Sequence, residues 1–293
     1  MRSRFSARGG GRYGRFGNPG FVTLAVLAGV LASGRVWAQE PKLPTAEEVI
    51  NKSIEALGGQ AAFDKLHNRV MKGTIEVTGQ PNKISLTIYE AEPNKRYSLT
   101  DVPNVGKVES GTDGKVCWQI TPMGASLLEG TDRALALRHA TFNDLLHWKQ
   151  LYQKVECVAQ ETVDDHPCYK VVMTPAEGQG NPEVAYYDSM TYLPAKTLIT
   201  MKGPMGEMTL EGTPADFRKV DGILLPATLT QIQKFGQMNQ SITVTFDSIE
   251  HNVEIPADRF AMPAAVKELS DKPKTQPASP PATAPASGAK EKP

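Results

Sequence analysis

Ile84-Ser85-Leu86-Thr87-Ile88-Tyr89 places an apolar side chain at every second position. In an extended chain successive side chains point to opposite faces, so Ile84, Leu86 and Ile88 face one way and Ser85, Thr87 and Tyr89 the other. That is the period of a half-buried strand. The same reading extends over residues 69–128, which divide into a meander of short strands. Pro93-Asn94-Lys95-Arg96-Tyr97 opens one strand, and Asp113-Gly114 turns the chain into Val116, Trp118 and Ile120. Asp-Gly between alternating runs suits a type I′ hairpin turn, which needs positive φ at both central residues. No nucleophile, metal cluster or phosphate-binding loop interrupts this pattern. The segment presents an apolar face, and function depends on what that face meets.

Upstream, Thr45 followed by Glu48 is a capping box, in which each residue satisfies a free amide of the other at a helix start. Val49, Ile50, Ile54 and Leu57 then form one apolar stripe, and Gly58-Gly59 ends the helix. Ala61–Leu66 predicts a second short helix. Strands are expected at 69–78, 83–91, 95–102, 106–111 and 115–121, and again at 154–163, 168–174, 183–188, 194–201, 206–218, 223–234 and 241–250. Between them, over Asp132–Tyr152, the period becomes helical, with Leu135, Phe142, Leu145, Leu146, Trp148 and Leu151 apolar. Asp221-Gly222 is a second I′ candidate. A meander this long must curl to hide its apolar face, with the helices covering the concave side. The expected class is α+β, an incomplete antiparallel barrel.

The termini read differently. Arg2, Arg4, Arg8, Arg12 and Arg15 form a basic region free of acids, Phe21–Ser33 is apolar, and Val36-Trp37-Ala38 sets small residues before Gln39. This is the layout of a cleavable secretory signal over residues 1–38, its apolar run shorter than the ~20 residues a spanning helix requires. No Arg-Arg pair points to the twin-arginine route, and no Cys stands near the cleavage site for lipid attachment. A periplasmic or secreted protein is expected. The signal holds six of the 32 basic residues and none of the 32 acids, so the mature chain carries 26 against 32, a formal −6. Nothing in that balance attracts nucleic acid. From Ala264 to Pro293 the sequence is rich in Pro, Ala, Ser, Thr and Lys, too poor in apolar surface to offset ordering entropy, and a disordered tail is expected. One domain, residues 39–263, remains.

Chemistry-bearing residues are sparse within it. His139 and His147 share the helical segment but lie two turns apart, and Asp144 between them completes no metal spacing, so solvent-facing positions are expected. His67 and His166 read as cap and turn residues. No Gly-x-Ser-x-Gly elbow, Walker loop or dinucleotide fingerprint occurs, and no cofactor is expected. Cys157 and Cys168 flank the Asp164–Pro167 turn as a candidate disulfide in an exported protein. Hairpin register instead pairs Cys168 near Glu161 or Thr162, leaving Cys157 ~13 Å along the strand, beyond bridging reach. A bulge could restore the pair, or Cys117 could substitute. Met173, Met201, Met205, Met208 and Met238 cluster in the later strands, either as core filler or as an adaptable apolar surface. Arg96, beside the apolar sheet, is either an outward surface residue or, with a partner, a gate to a pocket.

Taken in order, the Ala46-Glu47-Glu48-Val49-Ile50 helix with Gly58-Gly59, Pro93–Tyr97, Asp113-Gly114 with Trp118, Tyr186-Tyr187-Asp188 with Leu193, and Asp216–Pro226 resemble the outer-membrane lipoprotein carrier (LolA-like) superfamily over Pro44–Pro263. The resemblance implies an apolar cavity that accepts acyl chains of lipoproteins or other lipids under a helical lid. Donor and acceptor partners at membranes follow from it. It places Arg96 in the strand position that holds the lid, with Phe142 and Leu146 on the lid. Ile84, Leu86, Ile88, Val116, Trp118, Ile120, Met208 and Leu210 are the candidate lining. A non-catalytic carrier is expected. An envelope sensor on the same fold, or a hydrolase using dispersed acids with His139 or His147, are the alternatives.

Overall fold

The computed structural model describes residues 42–203 and 206–271. The signal sequence read over residues 1–38, Met205, and the tail beyond Asp271 lie outside the described residues. Helix α1 (Ala46–Ala56) starts on the expected capping box: Glu48 N donates to Thr45 Oγ1 at 3.2 Å, and Thr45 N to Glu48 Oε2 at 2.7 Å. Its stripe is realised, with Val49 and Ile50 fully buried. After the short α2 (Gln60–Phe63) come β1 (Asn68–Val77), β2 (Ile84–Ala91), β3 (Lys95–Val102), β4 (Gly106–Thr112), β5 (Cys117–Thr121) and β6 (Gly124–Leu127). The insertion holds α3 (Gly130–His139), a 3₁₀ turn at Asp144–His147 and α4 (Trp148–Leu151). Then follow β7 (Lys154–Val163), β8 (His166–Thr174), β9 (Glu183–Asp188), β10 (Pro194–Gly203), β11 (Gly206–Val220), β12 (Ile223–Phe235), β13 (Met238–His251) and α5 (Ala264–Ser270).

All thirteen strands join one antiparallel sheet in the order β6-β5-β4-β3-β2-β1-β13-β12-β11-β10-β9-β8-β7. The expected single meander is thus two meanders, fused where β1 pairs with β13. β6 and β7 are the free edges, and the sheet does not close into a barrel. It is nevertheless strongly curved. β3 and β10 stand six strands apart, ~29 Å on a flat sheet, yet Arg96 on β3 and Met201 on β10 border the same cavity.

Register shows which side chains share a face, because directly opposed residues point the same way. Ile84, Leu86 and Ile88 are opposed to Ile75, Gly73 and Met71, and so lie on the concave face. Ile88 faces Ser98, Ser98 faces Ser110 and Ser110 faces Gln119, so Gln119 shares their face while Trp118 and Ile120 point away. The outer face carries Tyr89, Tyr97 and Trp118, the last fully buried. The chain after β13 covers this face. The Arg259 guanidinium stacks over Tyr89 and Tyr97, 4.7 and 5.3 Å from the ring centroids, and α5 packs on β6 with Val266 fully buried. The expected tail therefore begins later than residue 264: Ala264–Ser270 is an ordered helix, because Val266 finds a buried site.

Antiparallel pairing throughout sends alternate turns to opposite ends of the sheet. One end holds the β2–β3, β4–β5, β7–β8, β9–β10 and β11–β12 turns. The other holds the β1–β2, β3–β4, β5–β6, β8–β9, β10–β11 and β12–β13 connections. Asp221 and Gly222 have φ of 48° and 95° and form the two-residue I′ turn their sequence predicts. Asp113 does not: only Gly114 has positive φ, and the Asp113 carboxylate instead accepts from Lys115 N and Val116 N, both at 2.8 Å. Its side chain builds a wider turn from the amides that a tight hairpin would have paired.

The first end is plugged by α1. Leu224 N donates to Leu57 O at 2.7 Å, and a Cβ at Gly58 would lie 2.5 Å from the Gly222 carbonyl oxygen, so only glycine lets the helix end touch the β11–β12 turn. Gly73 is equally constrained. It sits at the β1–β13 register shift, where a Cβ would come within 2.0 Å of the Thr245 carbonyl oxygen. Gly73→Ala should therefore destabilise the fold by about 2 kcal/mol, read as a lowered denaturant midpoint at unchanged m-value.

Candidate functional site

The concave face is only partly filled. Leu86 and Ile88 close up with Met71, Val244 and Phe246 into a solid cluster. Beyond it a cavity of about 450 Å³ opens under the helices, bounded by Leu57, Phe63, Leu145 and Trp148 on the helical side and by Ala185, Tyr187, Ile199, Leu210, Leu224 and Leu229 on the sheet. A second lobe of about 450 Å³ shares Arg69, His139, Asn143, Asp144, Ile199, Leu210 and Gln231 with the first and adds Glu90, Arg96, Leu135 and Met201. A third, of about 460 Å³, shares Leu135, His139 and Met201 and runs out to Met208, Phe235 and the exposed Lys202 and Gly206. The lobes thus form one chain, from the end plugged by α1 to the hairpins of the opposite end.

Where the apolar and polar lobes meet, two buried carboxylates tie elements together. Glu183 on β9 accepts from Arg138 Nε and Nη2 of α3 at 2.8 and 2.7 Å, and from the Tyr152 hydroxyl at 3.0 Å. Arg138 and Glu183 are 4% and 3% exposed, so each charge relies on the other. His139 Nε2 lies 3.0 Å from Glu183 Oε2, off the hydrogen-bonding axis, and its Nδ1 lies 3.9 Å from Asp144 Oδ2. Glu90 on β2 ion-pairs with Arg69 of β1 and, at 2.7 Å, with Arg96 Nη1 of β3.

The surroundings set the proton affinities. Burial alone would raise the Glu183 carboxyl, but the neighbouring His139 and Arg138 hold it below the usual range. Burial opposes charge on His139 as well, and the Glu183 carboxylate outweighs it, so the imidazole is raised. Glu90 is lowered, again against burial, by Arg69 and then Arg96. Asp144 is raised, first by burial and also by the Glu90 charge. It is half exposed, but it borders both inner lobes, so much of that surface faces the cavity.

The candidate residues separate on this geometry. Leu210 lines two lobes and Met208 the third; Met173 and Met201 also border the cavity. Ile84, Leu86 and Ile88 lie on the correct face but away from the cavity, Leu86 and Ile88 in the filled cluster and Ile84 buried beside Ile75 on the paired strand. Trp118 and Ile120 are corrected to the outer face by register, and Val116 sits half-buried in the β4–β5 turn. Arg96 turns inward and borders the second lobe through its Glu90 pair. Phe142, expected on a lid held by Arg96, is instead met by Arg69, whose guanidinium is 5.5 Å from the ring centroid, while Phe142 N donates to Pro93 O at 3.0 Å. Leu146 packs in the same cluster as α1. His139 is not the solvent-facing residue expected, because α3 turns it to Glu183. The cysteines are all free: Cys157 opposes Val171 on the inner face, whereas Cys168 opposes Glu161 on the outer, and no bridge spans a strand pair from opposite faces. Arg69, Glu90, Arg138 and Glu183 are the residues that sequence reading missed. Two carried a signal: Glu90 continues the alternation of Ile84, Leu86 and Ile88, and Arg69 stands two positions before Met71 on the facing strand.

No family model matches the sequence, and no curated protein does. Among solved structures, the chain is similar to a LolA superfamily protein from Nitrosomonas europaea, with 11% identity over 75% of this chain and 99% of that one, at a TM-score of 0.51. It is also similar to a DUF1329 family protein from Desulfovibrio piger, with 16% identity over 73% and 96%, at a TM-score of 0.50. The fold is that of LolA-like proteins.

Linkage follows from the two shifts. The lowered Glu183 stabilises the fold above its unfolded pKa, and that contribution is lost as pH falls through its folded value. The raised His139 contributes below its unfolded pKa and loses it as pH rises through its folded value. Glu183→Gln leaves Arg138 buried without a charge partner and should cost about 3–5 kcal/mol. The His139 imidazole, followed by NMR, should then titrate lower than in the wild type, since burial is opposed by Asp144 alone.

Proposed function

We propose that the protein binds the acyl chain of a lipid or lipoprotein in the three-lobed cavity and carries it, without catalysis, between membranes of the cell envelope. The observation that carries this reading is the row of adjoining lobes, with a largely apolar inner lobe walled by Leu57, Leu210, Leu224, Leu229 and Ile199 and the buried ion pairs at its junction with the second. Each methylene moved from water into such walls gains about 0.8 kcal/mol. A chain therefore needs no directed polar chemistry to be held tightly. The LolA-like fold is consistent with this role, and the basic, then apolar, then small-residue pattern ending at Ala38 supports export with removal of residues 1–38. In this reading the binding domain starts at Gln39 and includes the helix Ala264–Ser270.

Native mass spectrometry with lipid extraction, on protein purified from its own envelope, tests the proposal. Acyl lipid or lipoprotein should co-purify, and a fluorescent fatty acid should bind in titration. Leu210→Lys, which puts a charge where two lobes meet, should weaken that binding at least about tenfold at little change in melting temperature. A protein free of lipid whose titration leaves the probe unchanged would overturn the reading.

A further inference from the structure

The two ends of the sheet differ in chemistry. At the end plugged by α1, every turn carries an acid: Glu92, Asp113, Asp164 with Asp165, Asp188, and Asp221. At the other end the described hairpin tips read Thr78–Lys83, Pro103–Val105, Pro122-Met123 and Gly236-Gln237 running into Met238, with no acid in any of them; only the β8–β9 loop carries one, Glu177. Three of the described tips expose a large apolar side chain to solvent: Val105 at 58%, Met123 at 96% and Met238 at 67%. The first two stand together, since a Cβ at Gly106 would lie 3.6 Å from the Pro122 ring. The outermost cavity lobe reaches the surface at this same end, between Met208, Phe235 and Lys202.

We propose that this rim is a membrane-docking edge: the tips bearing Val105, Met123 and Met238 insert into the interface of a lipid bilayer and set the cavity mouth against it. The inference rests on the acyl-binding reading of the cavity. Single aliphatic side chains on separate hairpins, spread along the rim of a sheet, do not form the contiguous aromatic and arginine cluster that anchors a protein partner. A fluid interface accepts scattered insertions. A lysine follows or precedes four of the connections at this end, at Lys83, Lys107, Lys202 and Lys234, placed to reach headgroup phosphates while the tips insert. Three face an acid of their own hairpin, Glu76 at 2.5 Å from Lys83, Asp101 opposite Lys107 and Glu207 opposite Lys202, and Lys234 pairs with Glu211 of the neighbouring strand β11. The rim is thus close to neutral, which matches a zwitterionic surface rather than a strongly anionic one. Met190, 80% exposed at the acidic end, has no such setting and serves as the control.

The test uses the mature protein with phosphatidylcholine vesicles, scored by co-flotation, and a soluble fluorescent fatty acid, scored by titration. Val105→Asp, Met123→Asp and Met238→Asp combined should lower vesicle association at least about tenfold and leave probe affinity within about twofold, all three sites being exposed. Met190→Asp should change neither. Raising salt should alter vesicle association little, since no net charge drives it. Wild-type protein that binds the probe but does not float with vesicles overturns the docking edge and leaves the cavity reading standing. Failure to bind the probe overturns the cavity reading, while vesicle association lost in the triple variant would still support the edge. Self-association of the wild type, abolished in the triple variant without any vesicle binding, would assign the rim to a second copy and overturn the proposal.

Discussion

The Glu183 carboxylate holds the architecture of the cavity. It sits on a central strand of the later meander and collects Arg138 and His139 from α3 and the Tyr152 hydroxyl from beyond α4. A buried charge is tolerable only when its partners are fixed. The partners here belong to the helical insertion, so the insertion's position over the sheet is specified electrostatically rather than by packing alone. α3 has little apolar face of its own, and its one buried residue is Arg138. A second anchor is Arg133, whose Nε and Nη2 donate to the Lys115 carbonyl oxygen at 2.9 and 2.6 Å.

That choice explains why the concave side is not simply filled. α1 brings a continuous apolar stripe and closes down on the sheet, producing the dry cluster that plugs one end. α3 brings charges, which must meet their partners at fixed distances, and it stands off from β10 and β11 where Ile199, Met201 and Leu210 remain uncovered. Glu90 does the same for the other wall, pinning Arg69 and Arg96 against the first meander and turning Arg69 to the Phe142 ring. The empty volume lies between the packed plug and the two charged pins.

Much of the fold was legible because it depends on local signals. The capping box at Thr45, the alternation through Ile88, the Asp221-Gly222 turn and the register of Cys168 against Glu161 each follow from neighbours in sequence. Alternation names two faces but not which one is concave, so Trp118 and Ile120 were assigned to the cavity along with Ile84 although they point outward. The cover that decides the matter, Arg259 and α5, comes from far along the chain, and α5 lies inside a stretch whose composition reads as tail. Arg138 and Glu183 are 45 residues apart, and neither has a local pattern that marks it as buried. β6, four residues long, was too short to show a period.

The outer cover and the cavity are linked by the sheet's curvature. Curling hides the concave face but exposes the convex one, where Tyr89, Tyr97 and Trp118 would meet water. The segment after β13 answers this: Arg259 lies across the two tyrosines, and the Tyr97 hydroxyl turns to Glu109 at 2.8 Å, its phenol pushed up to about 12 by burial and by that bond. With one face covered from the C-terminal side and the other by the helices, the remaining unburied apolar groups are concentrated at the sheet's ends and edge. Val158 lies on the free edge strand β7, where a bulge at that residue interrupts the pairing pattern. Val105, Met123 and Met238 have no comparable device. A sheet that elsewhere uses a fourteen-residue strand and a terminal helix to bury its apolar surface leaves these side chains out at the end where its outermost cavity lobe reaches the surface.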